Sequence, residues 1–234
     1  MADVRAFRGL RYDPRRVPLS EVLCPPYDVI DLNQAKSLRA GRFNAVHLEL
    51  PEGGGEKYQR AAALWRRWQT SGVLVVEREP CFYVCEERFK LQGKVLRRLG
   101  FLAALGVTPE AAKAILPHER TLPKPKADRL KVLRALRANI SPIFGIFPDP
   151  KGAARRALAK ALHARPCASG VSPQGVCYKL WSLSDPAAIA ALSRALRARR
   201  VLIADGHHRY EVSRAYCVRA REREAETVLA YLCP

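Results

Sequence analysis

Period-two and period-3.6 stretches alternate along the chain. Val46, Leu48 and Leu50 alternate with His47 and Glu49, which predicts a half-buried strand. Between Glu56 and Ser71 the spacing lengthens: Tyr58, Ala61, Trp65 and Trp68 form one helical stripe, and Gly72 suits its stop. Residues 81–89 and 94–104 read as strands on either side of Gln92-Gly93, a hairpin. A short helix follows Pro109, and a helix over 128–138 leads into a strand over 143–147. Beyond it the pattern alternates: helix 152–164, strand 175–182, helix 186–198, strand 200–204, helix 210–222, strand 227–232. Such mixing predicts an α/β or α+β fold, a mixed β-sheet with flanking helices. The chain reads as a single domain over 1–234, with Pro148-Asp149-Pro150 marking a candidate sub-boundary near 148–152. It stops at Cys233-Pro234, directly after an expected strand, as a C-terminally truncated piece of a longer protein would.

Two segments lack periodicity. In Leu23-Cys24-Pro25-Pro26-Tyr27-Asp28-Val29-Ile30 the prolines impose stiff, extended backbone. The stretch from Leu116 to Lys126 is polar and punctuated by Pro117, Pro123 and Pro125, too charged to belong to a core.

Composition narrows the classes. Hydrophobic residues make up 48% and charged ones 27%, with 14 Gly and 17 Pro, which excludes disordered, collagen-like and coiled-coil chains. No apolar run approaches the ~20 residues needed to span a bilayer. The first residues lack the apolar stretch of a signal peptide. A cytoplasmic location without membrane partners is the expectation. The net charge of +19 would attract nucleotides, phosphorylated metabolites or nucleic acid, although a solvated Arg-rich surface accounts for it equally. Seven cysteines contain no Cys-x-x-Cys pair; Cys81 and Cys85 would lie on one strand face about 13 Å apart, too far for one zinc ion. They read as reduced, mostly buried small hydrophobes.

The chemistry concentrates in Ala204-Asp205-Gly206-His207-His208-Arg209-Tyr210-Glu211. An apolar strand, a tight Asp-Gly turn and a helix start would point unpaired backbone N–H groups at an anion. Gly206 permits positive φ and close approach by a ligand. Arg209 brings a planar charged fork, and His207 and His208 bring donors that titrate near neutral pH. The parts describe a phosphate site. The alternative is structural: Asp205 caps the helix and Arg209 pairs with a nearby acid.

This string, together with Pro25-Pro26-Tyr27-Asp28, His118-Glu119-Arg120-Thr121, Asp128-Arg129-Leu130 and Asn139-Ile140-Ser141-Pro142, resembles the DUF-1015 family, prokaryotic proteins named for lacking a known function. The resemblance covers essentially the whole chain. Asp-Gly-His-His-Arg is also similar, more remotely, to the ParB/sulfiredoxin superfamily, whose free-serine kinases carry a closely similar string. That resemblance implies a ParB/sulfiredoxin-like element around the turn and a nucleotide-binding phosphotransferase acting on a small hydroxyl metabolite, with Mg²⁺ and ATP or ADP. Gly206, His207 and Arg209 would then bind phosphate, joined by His118, Thr121 and Lys124. Asp205, His208 and Glu119 are the candidate catalytic groups; Tyr27 and Asp28 are candidate substrate or metal contacts, Tyr27 otherwise packing inward in a structural turn. The superfamily's usual Ala three residues after the Arg is Val212 here. Protein side chains alone supply no metal site; Mg²⁺ would arrive with the nucleotide. A ParB-like nucleic-acid-binding protein is the alternative, without a helix-turn-helix or zinc-finger pattern to support it. A metal-dependent hydrolase lacks the spaced ligand set it requires.

Overall fold

The computed structural model describes residues 1–220 and 222–234. Its strands are β1 (Val4–Arg5), β2 (Leu10–Tyr12), β3 (Leu74–Val76), β4 (Phe82–Leu91), β5 (Lys94–Gly106), β6 (Ile115–Leu116), β7 (Ile143–Ile146), β8 (Ala168–Val171), β9 (Cys177–Leu183), β10 (Val201–Asp205) and β11 (Thr227–Cys233). The helices are α1 (Leu19–Val22), α2 (Leu32–Arg39), α3 (Val46–Glu49), α4 (Lys57–Thr70), α5 (Pro109–Ala112), α6 (Pro123–Leu136), α7 (Ala153–Ala161), α8 (Pro186–Arg197) and α9 (His207–Ala220). Arg221, inside the helix expected over 210–222, lies outside the described residues.

The main sheet runs β6-β10-β7-β11-β5-β4-β9-β8, with β1 added on β5, and β2 pairs with β3 in a small second sheet. The β6–β10 and β7–β11 pairs are parallel and the rest antiparallel, so the fold is mixed α/β. Strands from both sides of 148–152 alternate in it: β11 lies between β5 and β7, and β9 beside β4.

Period-two burial gives the sheet two different faces. On β5, Phe101, Ala103 and Leu105 are fully buried and pack with Ile143, Ile203 and the α7 and α8 residues Leu158, Leu192 and Leu196. Intervening residues face a second cluster around Trp68, Leu48, Val73 and Leu74, closed by Val132 and Leu136 of α6. α6 packs against both α4 and α9 and links the two parts.

Three expectations are corrected. Residues 46–50 are not a strand but the helical turn α3. Buried Asn44 accepts the Val46 N–H at 3.0 Å and donates to the carbonyls of Glu21 and Leu23, which nucleates the turn. Glu49, on the polar side of that alternation, is buried because a distant arginine meets it there. Second, the helix expected from 128 begins at Pro123, in whose first turn a missing N–H costs nothing. Of the prolines that punctuate the polar stretch, Pro123 and Pro125 lie in the first turn of α6. Third, α9 begins at His207 rather than near Tyr210, so both histidines belong to its first turn.

Candidate functional site

Strand β10 delivers Asp205 to a turn in which Gly206 adopts φ +89°. A Cβ at Gly206 would stand 3.1 Å from Arg209 Cζ and from Ile143 Cα, so both the conformation and the space call for glycine. The first bond of α9 runs from the Tyr210 N–H to the Gly206 carbonyl. Among the described residues, the N–H groups of His207, His208 and Arg209 meet no protein acceptor. Asp205 does not cap them. Its Oδ2 accepts from Arg209 Nη2 at 2.6 Å instead, and its side chain remains 52% exposed.

Arg209 is 8% exposed. Nη1 donates to Ser141 Oγ at 3.1 Å and to the Pro142 carbonyl, while Nε lies buried against Gly206 without an acceptor among the described residues. The guanidinium therefore ties the turn and Asp205 to the segment entering β7.

The two histidines hold a different segment. His207 Nε2 accepts the His118 N–H at 3.3 Å, which leaves the proton on Nδ1, 3.3 Å from Glu119 Oε2. Burial pulls the imidazole below its ordinary pKa, against the opposing pull of Glu119. The His118 ring stands edge-on at 4.6 Å. His208 Nε2 accepts the Leu122 N–H at 3.0 Å, so Nδ1–H is its free donor. One turn later Glu211 accepts from the Thr121 hydroxyl and from Lys126 Nζ, at 2.9 Å for the lysine. Burial raises the Glu211 pKa, but those hydrogen bonds outweigh it and hold the carboxyl below its usual value.

Behind the turn sits a buried charge cluster. Arg129 Nη1 donates to the Glu49 carbonyl at 2.7 Å and approaches Glu49 Oε1 at 3.4 Å; Nη2 reaches Asp128 at 2.6 Å. Burial pushes the Glu49 carboxyl up, opposed by Arg129 and Arg209. The Tyr27 ring covers Arg129, with Cζ 4.0 Å from the ring centroid, and the tyrosine hydroxyl is buried without a partner among the described residues.

The structure thus gathers Asp205, Gly206, His207, His208 and Arg209 with His118, Glu119 and Thr121, and brings Tyr27 to the adjoining cluster. Lys124 and Asp28 are exposed, and among the described residues neither side chain forms a hydrogen bond or ion pair with these groups, although Asp28 directly follows Tyr27. Glu49, Arg129, Ser141 and Glu211 were not singled out as site residues. Glu211 directly follows the motif, and Arg129 and Ser141 lie in segments that carried the family resemblance. Glu49 gave no local signal. Among the described residues, no three His, Cys, Asp or Glu side chains converge as a metal site. Asp205 stands beside the uncapped helix start, and among the described residues its Oδ1 has no hydrogen-bond partner; Mg²⁺, held largely by water and substrate phosphates, would enter with the nucleotide rather than on this oxygen. All seven cysteines are free thiols.

No helix among the described residues is long and apolar enough to cross a membrane. No curated protein and no solved structure matches the chain. The family model described as "Protein of unknown function (DUF1015)" matches residues 4–234, nearly end to end, and the chain accordingly belongs to the DUF1015 family.

Proposed function

We propose that the chain binds the terminal phosphates of ATP or ADP at the first turn of α9 and transfers a phosphoryl group to a small hydroxyl metabolite. The observation that carries this reading is the uncapped turn itself: three N–H groups, of His207, His208 and Arg209, without acceptors among the described residues and beside a half-exposed carboxylate. The similarity of Asp-Gly-His-His-Arg to the string of free-serine kinases supports it. In this reading the backbone holds the phosphate, and Arg209 keeps Gly206 and Asp205 in place. The open oxygen of Asp205 accepts the acceptor hydroxyl's proton as its oxygen bonds to phosphorus and the bridging oxygen leaves with the nucleotide. His208 Nδ1–H faces charge on the transferred group, and Glu119 fixes the His207 tautomer. Mg²⁺ entering with the nucleotide neutralises phosphate charge.

Calorimetric titration with ADP and ATP, with and without Mg²⁺, tests binding; incubation with ATP and hydroxy amino acids tests transfer. Saturable binding below millimolar concentration is expected. Absence of binding at millimolar nucleotide overturns the reading, and sequence-selective retention of DNA at physiological salt would replace it with the nucleic-acid alternative.

A further inference from the structure

The two cores do not close on each other. Between them lies an open cavity of about 390 Å³. Its floor is the second face of the main sheet, including Leu102, Ala104 and Leu229; its roof includes Leu48, Trp65 and Leu74. Native interiors contain few voids larger than one water. This space instead falls in the range of small-molecule pockets, roughly 300–1,000 Å³, near its lower end. The period-two pattern of β5 makes it. Phe101, Ala103 and Leu105 fill the first core, while small Ala104 on the opposite face leaves room under Trp65.

The charged groups among the described residues lining this cavity have one sign, beside the neutral polar Tyr12, Tyr83, Asn139 and Thr227. Arg8 and Arg11 line it, and no Asp or Glu does. Both arginines turn Nε toward one residue behind them, Glu77: Arg8 to its carbonyl at 3.0 Å, Arg11 to its carboxylate at 3.0 Å. Among the described residues, Arg8 Nη1 and Nη2 and Arg11 Nη2 have no acceptor; the Glu77 carboxylate pairs with Arg11, and Arg8 has no acidic partner. An apolar chamber with an excess positive charge on its wall matches a ligand with an apolar body and one acidic end.

We propose that this cavity binds a small amphipathic carboxylic acid of the medium-chain fatty acid type, its chain between the two cores and its carboxylate on Arg8 and Arg11. The site shares no residue with the α9 turn and stands or falls independently of the nucleotide reading. Trp65 is a built-in reporter, because of the three tryptophans only Trp65 lines the cavity. Titrating the full chain with decanoate should give one saturable site and a matching change in Trp65 fluorescence, absent in Trp65→Phe. Decanol, with the same body and no charge, should bind about fivefold more weakly, the effect of an ion pair at an accessible rim. Arg11→Gln should narrow that difference without weakening decanol. Ala104→Phe should abolish binding by filling the chamber; if that variant does not fold, Leu102→Phe serves the same end. Failure of decanoate to saturate below its micellar concentration would overturn the proposal. So would equal affinity for decanol, or binding that survives a folded cavity-filling variant.

Discussion

Three of the five Arg209 donors are directed inward, onto Asp205, Ser141 and the Pro142 carbonyl. Truncating such a group strands the half-exposed Asp205 carboxylate and a carbonyl, and losing a hydrogen bond of a charged group costs about 1.5–3 kcal/mol. Arg209→Ala is therefore expected to lower unfolding stability in urea by about 3 kcal/mol. Arg209→Lys should recover only part, because an ammonium cannot span Asp205 and the Ser141–Pro142 edge together. An unchanged urea midpoint for Arg209→Ala would show that the turn holds without it. His207 gives a pH signature. Its folded pKa lies below the ordinary value near 6.5, so the unfolded chain takes up the proton first. Its contribution is full above pH 6.5, declines as pH falls through that value, and levels off below the depressed folded pKa. His207→Gln should remove this limb, leaving a flatter difference curve between pH 7 and pH 5 by thermal unfolding. The motif could be read from sequence because its residues are contiguous. Its partners could not, since the residues that bind its side chains are 67 to 89 positions away.

Among the elements, α3 and α6 show where local pattern misleads. Val46, Leu48 and Leu50 satisfy the period of a strand, yet Asn44 starts a helical turn and Arg129 draws Glu49 inside. Four to five residues are too few for periodicity to separate the two states, and the deciding partner lies 80 residues on. Longer elements such as α4, α8 and the β4–β5 hairpin repeat their pattern often enough to be read correctly. β6 and β8 are short edge strands carrying little pattern of their own. The Glu49–Arg129 pair also makes a quantitative expectation at this scale. Arg129→Met leaves Glu49 buried beside an apolar side chain and should cost about 3 kcal/mol. Adding Glu49→Leu should restore much of the loss, since an apolar pair of similar volume can replace a buried ion pair. Urea unfolding of the two single variants and the double variant supplies the cycle, and strict additivity would show that the two side chains do not interact.

At the scale of the whole molecule, the sheet cannot be divided along the chain. β11 completes it between β5 and β7, and β9 flanks β4, so no cut near 148–152 leaves either part with a complete sheet. The second core is less tightly bound to it. The open cavity separates the two over part of their common face, and α6 and the Glu49–Arg129–Arg209 cluster hold them together elsewhere. Tryptophans report on each side: Trp68 is buried in the second core and Trp181 in the first. Variants keeping only Trp68 or only Trp181 should unfold in urea with coincident midpoints in the otherwise native background, because the buried cluster couples the two bodies. Placing Arg129→Met in each should separate them, with the Trp68 midpoint falling further, since α6 loses its hold on α3 while the sheet keeps all its strand pairs. Midpoints that stay together in the Arg129→Met pair would mean that packing of α6 on α4 and α9, rather than the charge cluster, couples the cores. Midpoints already apart before that substitution would mean that the second core folds as its own unit.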